Sequence, residues 1–181
     1  AWESLISGKV IVQPHKMGMS YALNYSYIKK GDVAEQSYSA YNVGSGLSYV
    51  LPIIVAILSS RKGGLVIIEN PEIHLHERGQ AQLAQLIAIA AQYGIQIIVE
   101  THSDTLINGV LVSSRRFEKT GVGIDKDNVA IYHFDKIQET QVSECHSIQI
   151  IGNGEVDKQP DGFFDQLTKD SNYLMGLDDA N

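Results

Sequence analysis

The chain has 181 residues, of which 44% are hydrophobic and 19% are charged, and its formal net charge is -7. This length fits one folded domain, and the composition excludes a disordered protein. The acidic balance argues against nucleic-acid wrapping by this segment alone, because phosphate binding relies on clustered Lys and Arg. The single cysteine, Cys145, excludes an internal disulfide and suits a reducing compartment. No apolar run approaches the roughly 18 residues that cross a bilayer, so we predict a cytoplasmic protein without membrane contact.

The first part of the chain predicts two strands and a helix. Residues 9–13 and 20–28 have strand character, and the second run alternates apolar and polar residues with the two-residue period of a half-buried sheet. Residues 29–32 predict a turn. Residues 41–48 form a glycine-bearing loop that opens into an apolar helix, and the basic residues and glycines of 61–64 predict its end.

Two strand and helix pairs follow in the middle of the chain. Four apolar residues, Leu65–Ile68, run into Glu69, which predicts a strand buried on both faces. An apolar stripe predicts a helix near 77–93, and a second buried strand follows at 95–100. Ser103 is the predicted N-cap of a short helix that ends near Leu111. This order predicts an α/β fold with a mostly parallel sheet flanked by helices.

The pattern changes after Gly121. Residues 128–134 and 141–150 predict extra C-terminal strands, which would form a hairpin over the turn at 135–140. The tail from Gly152 to Asn181 is polar, and its one apolar anchor is the run Pro160-Asp-Gly-Phe-Phe-Asp165. We therefore divide the chain into a main lobe, 1–151, and a tail, 152–181.

Acidic and histidine residues follow both predicted parallel strands. Glu69 ends the first strand, Glu72 follows the Asn70-Pro71 turn, and His102 follows the second strand. Parallel strands bring their carboxyl ends to one edge of the sheet, where α/β proteins bind ligands. One of these carboxylates can hold Mg²⁺ and the other can orient a water molecule. The pattern therefore predicts phosphate chemistry on a nucleotide. The simpler interpretation is that these acids end a strand and begin a helix.

A transition-metal site is the alternative interpretation of the histidines. In an extended segment, His74 and His76 would project to the same side, a spacing that metal hydrolases use. With His102, Asp104 and Glu69 they would form a zinc or iron site. The plainer interpretation is that both imidazoles pack the turn between the strand and the next helix.

The loop before the first long helix can bind phosphate. Gly44 and Gly46 allow backbone N–H groups to face outward, and the helix behind them presents its positive end. An ordinary helix start that contains glycine has the same pattern. The loop alone therefore leaves both interpretations open.

Taken in this order, the motifs resemble the C-terminal half of an ABC-type ATPase domain of the RecF- and SMC-like branch. More closely, they resemble bacterial AAA-type ATPases grouped with the overcoming-lysogenization-defect (OLD) proteins. Residues 42–48 match the signature loop, residues 65–72 match Walker B, and residues 101–103 match the switch. The similarity is strongest over residues 41–107.

The resemblance implies a P-loop NTPase-type fold and an ATP hydrolase that uses ATP and Mg²⁺. Glu69 would hold Mg²⁺ through water, Glu72 or Asn70 would orient the attacking water, and His102 would contact the γ-phosphate. A second protomer would complete the site, and its nucleotide would be contacted by four residues of the signature loop: Asn42, Gly44, Ser45 and Gly46.

Two departures from the family pattern shape the expected function. Many ABC ATPases have Asp and Glu where this chain has Glu69 and Asn70, so either Glu72 replaces the usual base or slow hydrolysis makes ATP a dimerisation switch. The sequence also contains no Gly-x-x-x-x-Gly-Lys-Ser/Thr phosphate loop. The resemblance therefore implies an upstream segment that carries Walker A, a chain inactive by itself, and an assembly that acts on DNA or drives a bacterial defence effector.

Overall fold

A computed structural model describes residues 2–8, 10–29, 32–137, 140–160, 162–163 and 166–177. Parts of three predicted features lie outside the described residues: the centre of the turn at 29–32, the centre of the turn at 135–140, and half of the tail anchor at 160–165.

The described chain contains five α-helices and nine β-strands. The helices are α1 (Trp2–Ile6), α2 (Ser45–Ser59), α3 (Glu77–Gln92), α4 (Asp104–Thr120) and α5 (Gln166–Leu174). The strands are β1 (Val10–Met17), β2 (Ser20–Lys29), β3 (Asp32–Ser39), β4 (Leu65–Glu69), β5 (Gln96–Glu100), β6 (Ile131–Lys136), β7 (Ser143–Ile148), β8 (Ile150–Gly152) and β9 (Glu155–Val156). The α/β class is thereby confirmed.

The long helices begin and end where local chemistry requires. The apolar stripe predicted for α3 is buried, as its members Leu83, Leu86 and Ile87 show. Ser103 caps α4, because its side chain accepts a hydrogen bond from the N–H of Leu106 at 3.0 Å. The helix ends at Gly121, which adopts the left-handed conformation with φ 73°.

The predicted end of α4 near Leu111 was wrong, because the helix continues to Thr120. Its second half contains the polar run Ser113-Ser-Arg-Arg116, which hides the helix from an apolar pattern. Ser113 and Ser114 are nonetheless buried. Their burial shows that tertiary packing extends this helix beyond its apolar stripe.

The parallel part of the sheet is smaller than predicted. Strands β4 and β5 pair in parallel, from Leu65 opposite Gln96 to Glu69 opposite Glu100. All other strand pairs of the described residues are antiparallel: β1 with β2, β2 with β3, β6 with β7, and β8 with β9. Parallel pairing needs a long crossover, and here α3 connects β4 to β5, whereas short turns make hairpins. A mostly parallel sheet is therefore not what this chain forms by itself.

Strand β4 is buried on one face only, which corrects the prediction of burial on both. Val66 and Ile68 are buried, whereas Leu65 and Ile67 are 54% and 64% exposed. The buried side faces the main core, to which α2 and α3 contribute. In this chain the side chains on the other face of the strand lie open.

Two hydrophobic clusters hold the fold together. The main core joins residues of α1, α2, β4, α3 and α4. A smaller cluster joins Val10 of β1, Tyr25 of β2 and Leu47 of α2, and thereby attaches the three-stranded meander β1–β3 to the start of α2. None of the described helices is long and apolar enough to cross a membrane.

Candidate functional site

The predicted acidic edge is formed where the two parallel strands end together. Glu69 lies directly opposite Glu100 in the strand register. Beyond that pair, the N–H of Asn70 donates a hydrogen bond to the backbone carbonyl of Glu100 at 2.9 Å. Both carboxylates are exposed. The edge therefore carries two exposed carboxylates, which are the type of ligand that Mg²⁺ prefers.

A tight turn returns Glu72 to this edge. Asn70 and His74 have positive φ values of 47° and 64°, and they bracket the turn that begins at Pro71. The Thr101 hydroxyl donates to Glu72 Oε2 at 2.7 Å, and the N–H of His102 donates to Oε1 at 3.0 Å. The structure thus brings Glu72 into direct contact with the segment that bears the predicted switch histidine.

The imidazole of His102 is exposed beside Glu100. Its Nε2 lies 3.2 Å from Glu100 Oε1. Because both side chains face solvent, this pair adds little to the stability of the fold. The contact places the ring of His102 beside the last residue of β5, which lies opposite Glu69 in the strand register.

The glycine-bearing loop lies against the same turn. Gly44 occupies the N-cap of α2 without a side-chain cap, and both Gly44 and Ser45 are exposed. A Cβ built on Gly46 would lie 2.5 Å from the backbone carbonyl oxygen of His74, so only glycine allows this close approach. The ring of Tyr49 also contacts His74, with 5.0 Å between centroids.

An open cavity of about 550 Å³ adjoins this loop. The residues that line it come from the short 3-10 helix Ala40–Asn42 and from the start of α2; they are Ala40, Tyr41, Val43, Ser45, Ser48 and Tyr49. The Ser48 hydroxyl donates to the carbonyl of Ala40 at 3.2 Å and ties the two segments together. The predicted loop residue Asn42 is exposed at the end of the 3-10 helix.

The histidine metal site is not formed. Within the described residues no group of three or more His, Cys, Asp or Glu side chains is placed to hold a metal ion. His74 lies in the left-handed region against Tyr49, His76 is the N-cap of α3, and Asp104 begins α4. The extended His-x-His geometry that the metal site requires is therefore absent from this turn.

Three partners at the edge lie outside the predicted site residues, although Glu100 and Thr101 were expected beside His102 at the end of the second strand. Glu72 is contacted by Thr101, and His102 is contacted by Glu100. The N-cap residue Ser103 is contacted by Gln80. The hydroxyl and carboxylate that flank His102 in Glu100-Thr-His-Ser103 were the available signal. Gln80 had none, because it lies on a separate helix.

One buried acid lies away from this edge. Glu3 of α1 is only 7% exposed. Burial raises its pKa to about 7. Burial of the phenol raises the pKa of Tyr25, and the negative charge of Glu3 raises it further.

Comparison with solved structures defines the class of fold. A structure described under ATP-driven dimerization and DNA stimulated activation of SMC ATPases matches with a TM-score of 0.55 and 14% identity. The match covers 99% of this chain and 88% of that one. The fold is therefore similar to that of an SMC ATPase, which is P-loop NTPase-like. A comparison with curated protein sequences gives no match.

Family models then specify the class. Residues 26–108 match an AAA domain family named for the AbiEii toxin and the type IV TA system. Residues 124–174 match a family described as protein of unknown function, DUF3696. With the fold, these matches support the resemblance drawn from the motifs, which is to AAA/ABC-type ATPases of the RecF, SMC and OLD-like type.

Proposed function

We propose that this chain supplies the signature, Walker B and switch motifs of a composite ATP site, in which two ATPase protomers enclose ATP and Mg²⁺. The observation that carries the proposal is the meeting of all three motifs around one turn. The signature helix contacts His74 through Gly46, and the switch segment contacts Glu72.

The carboxyl edge fits the magnesium and γ-phosphate half of such a site. Glu69 is exposed at the end of β4, where a carboxylate reaches Mg²⁺ directly or through water. His102 follows β5, and its imidazole is exposed beside Glu100, where it would contact a phosphate oxygen. Asn70 or Glu72 would orient the attacking water. The amide of Asn70 cannot accept a proton as a carboxylate does, which favours slow turnover and a role for ATP in dimerisation.

The signature loop fits the nucleotide bound to the second protomer. Exposed Gly44 is the N-cap of a 15-residue helix that begins at exposed Ser45, and no side-chain cap occupies the first N–H groups of this helix. The positive end of a helix and free N–H groups favour a phosphate. Asn42, Ser45 and Gly46 lie within the same loop and would contact that nucleotide.

The proposed partners are those that the resemblance to ABC-type ATPases implies. A segment with a Walker A phosphate loop would complete the cis half of the site, and a second protomer would complete the trans half. The similar structure is described under DNA stimulated activation of SMC ATPases. DNA or an effector protein is therefore the target that we propose for the assembly, in the cytoplasm and away from membranes.

ATP turnover by this chain, alone and mixed with its Walker A-bearing segment, tests the proposal. We expect turnover only in the mixture and about 100-fold less with Glu69→Gln, because magnesium binding stabilises transition-state charge. The matched control is Glu77→Gln, since Glu77 is an exposed acid in the first turn of α3. Undiminished turnover with Glu69→Gln, or turnover by the chain alone, would contradict the composite site.

A further inference from the structure

Both carboxylate oxygens of Glu72 are engaged in hydrogen bonds to the switch segment. Oε2 accepts from the Thr101 hydroxyl at 2.7 Å, and Oε1 accepts from the backbone N–H of His102 at 3.0 Å. These contacts join residues 29 and 30 positions apart in the chain. The carboxylate therefore connects the turn after β4 to the loop after β5.

The contacts continue beyond Glu72 into a polar network. The Thr101 hydroxyl oxygen also accepts from the N–H of Ser103 at 3.0 Å. The Ser103 hydroxyl donates to Gln80 Oε1 at 2.6 Å, and Gln80 Nε2 donates to the carbonyl of Leu75 at 2.9 Å. The network thus returns to the turn from which Glu72 projects, and it includes the N-cap of α4.

The carboxylate of Glu72 therefore holds a backbone segment in place. A carboxylate that binds a backbone N–H determines the position of that peptide, and bonds to a charged acceptor are about twice as strong as neutral ones. The peptide held here is that of His102, whose ring lies beside Glu100. Displacing the peptide would move the imidazole away from Glu100.

We propose that Glu72 is a positioning residue that acts through His102 and does not itself accept a proton from water. This inference rests on the proposed composite ATP site and narrows it. Glu72 and Thr101 form one unit that keeps the switch histidine at the magnesium edge. The group next to the attacking water is then Asn70, with His102 at the γ-phosphate.

Amide exchange tests the contact without ATP. We expect the His102 amide to exchange about tenfold faster with solvent in Glu72→Ala than in the unmodified chain, because a bond to a charged acceptor is lost. Glu77→Ala is the control and leaves that amide unchanged. Equal exchange in Glu72→Ala and the unmodified chain, measured by NMR, would overturn the proposal, whether or not the protein hydrolyses ATP.

Kinetics of the mixture with the Walker A-bearing segment separate positioning from base catalysis. We expect Glu72→Gln and Thr101→Val each to lower kcat about tenfold, and the double variant to lower it no further, since both remove one unit. Thr101→Ser keeps the hydroxyl and should retain kcat. Glu77→Gln is again the control.

Two kinetic results would overturn the proposal. One is loss of turnover in Glu72→Gln while Thr101→Val stays near the unmodified rate, which would make Glu72 the water-activating group. The other is additive loss in the double variant, which would make Glu72 and Thr101 independent. A mixture in which even the unmodified protein shows no turnover would contradict the proposed ATPase function instead, and the exchange measurement would still decide the contact.

Discussion

The parallel pair β4–β5 and the antiparallel meander β1–β3 differ in what holds them. Strand β4 contributes Val66 and Ile68 to the main core, where they pack with residues of four helices. The meander is attached through a cluster that centres on Val10, Tyr25 and Leu47. Helix α2 belongs to both regions. The carboxyl edge of the candidate site therefore lies on the strongly packed part of the molecule, whereas its glycine-bearing loop lies where the meander is attached.

The two faces of β4 also differ in burial, and two neighbouring isoleucines test this difference. Ile68 is 6% exposed and Ile67 is 64% exposed. We expect Ile68→Ala to lower the free energy of unfolding by about 2–5 kcal/mol, because it leaves a cavity in the main core. The matched variant Ile67→Ala should change it by about 0.5 kcal/mol or less. Urea denaturation measures both, and equal losses would show that β4 is not buried on one face.

Glu3 lies on α1, which contacts α3 of the main core and β1 of the meander. Its titration therefore tests how these two regions are joined. Its pKa in the folded state, about 7, lies above the ordinary 4.5, so the folded state keeps a proton that the unfolded chain releases. The free energy of unfolding should therefore fall as pH rises from 4.5 to 7 and level off above.

Glu3→Gln should remove most of that pH dependence. At pH 8 we expect the variant to be more stable than the unmodified chain by up to roughly 3 kcal/mol, since each unit of pKa shift corresponds to about 1.4 kcal/mol. Thermal unfolding across pH 4 to 8 measures the difference, with exposed Glu77→Gln as the control. A pH profile that Glu3→Gln leaves unaltered would place the titrating group elsewhere.

Gly46 tests the contact between α2 and the turn that contains His74. Gly46→Ala places a methyl group against the carbonyl oxygen of His74, whereas a Cβ at Gly44 meets no atom within 4 Å. We expect Gly46→Ala to cost roughly 1–2 kcal/mol, because overpacking costs more than the better helix propensity of alanine returns. Gly44→Ala should cost less than about 1 kcal/mol. Similar melting temperatures for the two variants would argue against the close approach of α2 to the turn.

Local chemistry made much of this fold readable from the sequence. An apolar run after a glycine-bearing loop located α2, an apolar stripe located α3, and Ser103 marked the start of α4. Alternation located β2, although β3 was missed because its polar run Glu35-Gln-Ser37 lacks that signal. The α5 helix was also missed, since its sequence is as polar as the rest of the tail. The roles proposed for the site residues stay predictions.

The sequence by itself determined the strands that end in Glu69 and Glu100, the helices around them and the order of the motifs, because these depend on periodicity and turn chemistry within a few residues. Only the tertiary structure decided what those residues contact. It placed Glu72 on Thr101 and His102, set His74 against Gly46, and left Ile67 uncovered. Such contacts join segments far apart in the chain, so they depend on how helices pack against the sheet and not on any local pattern.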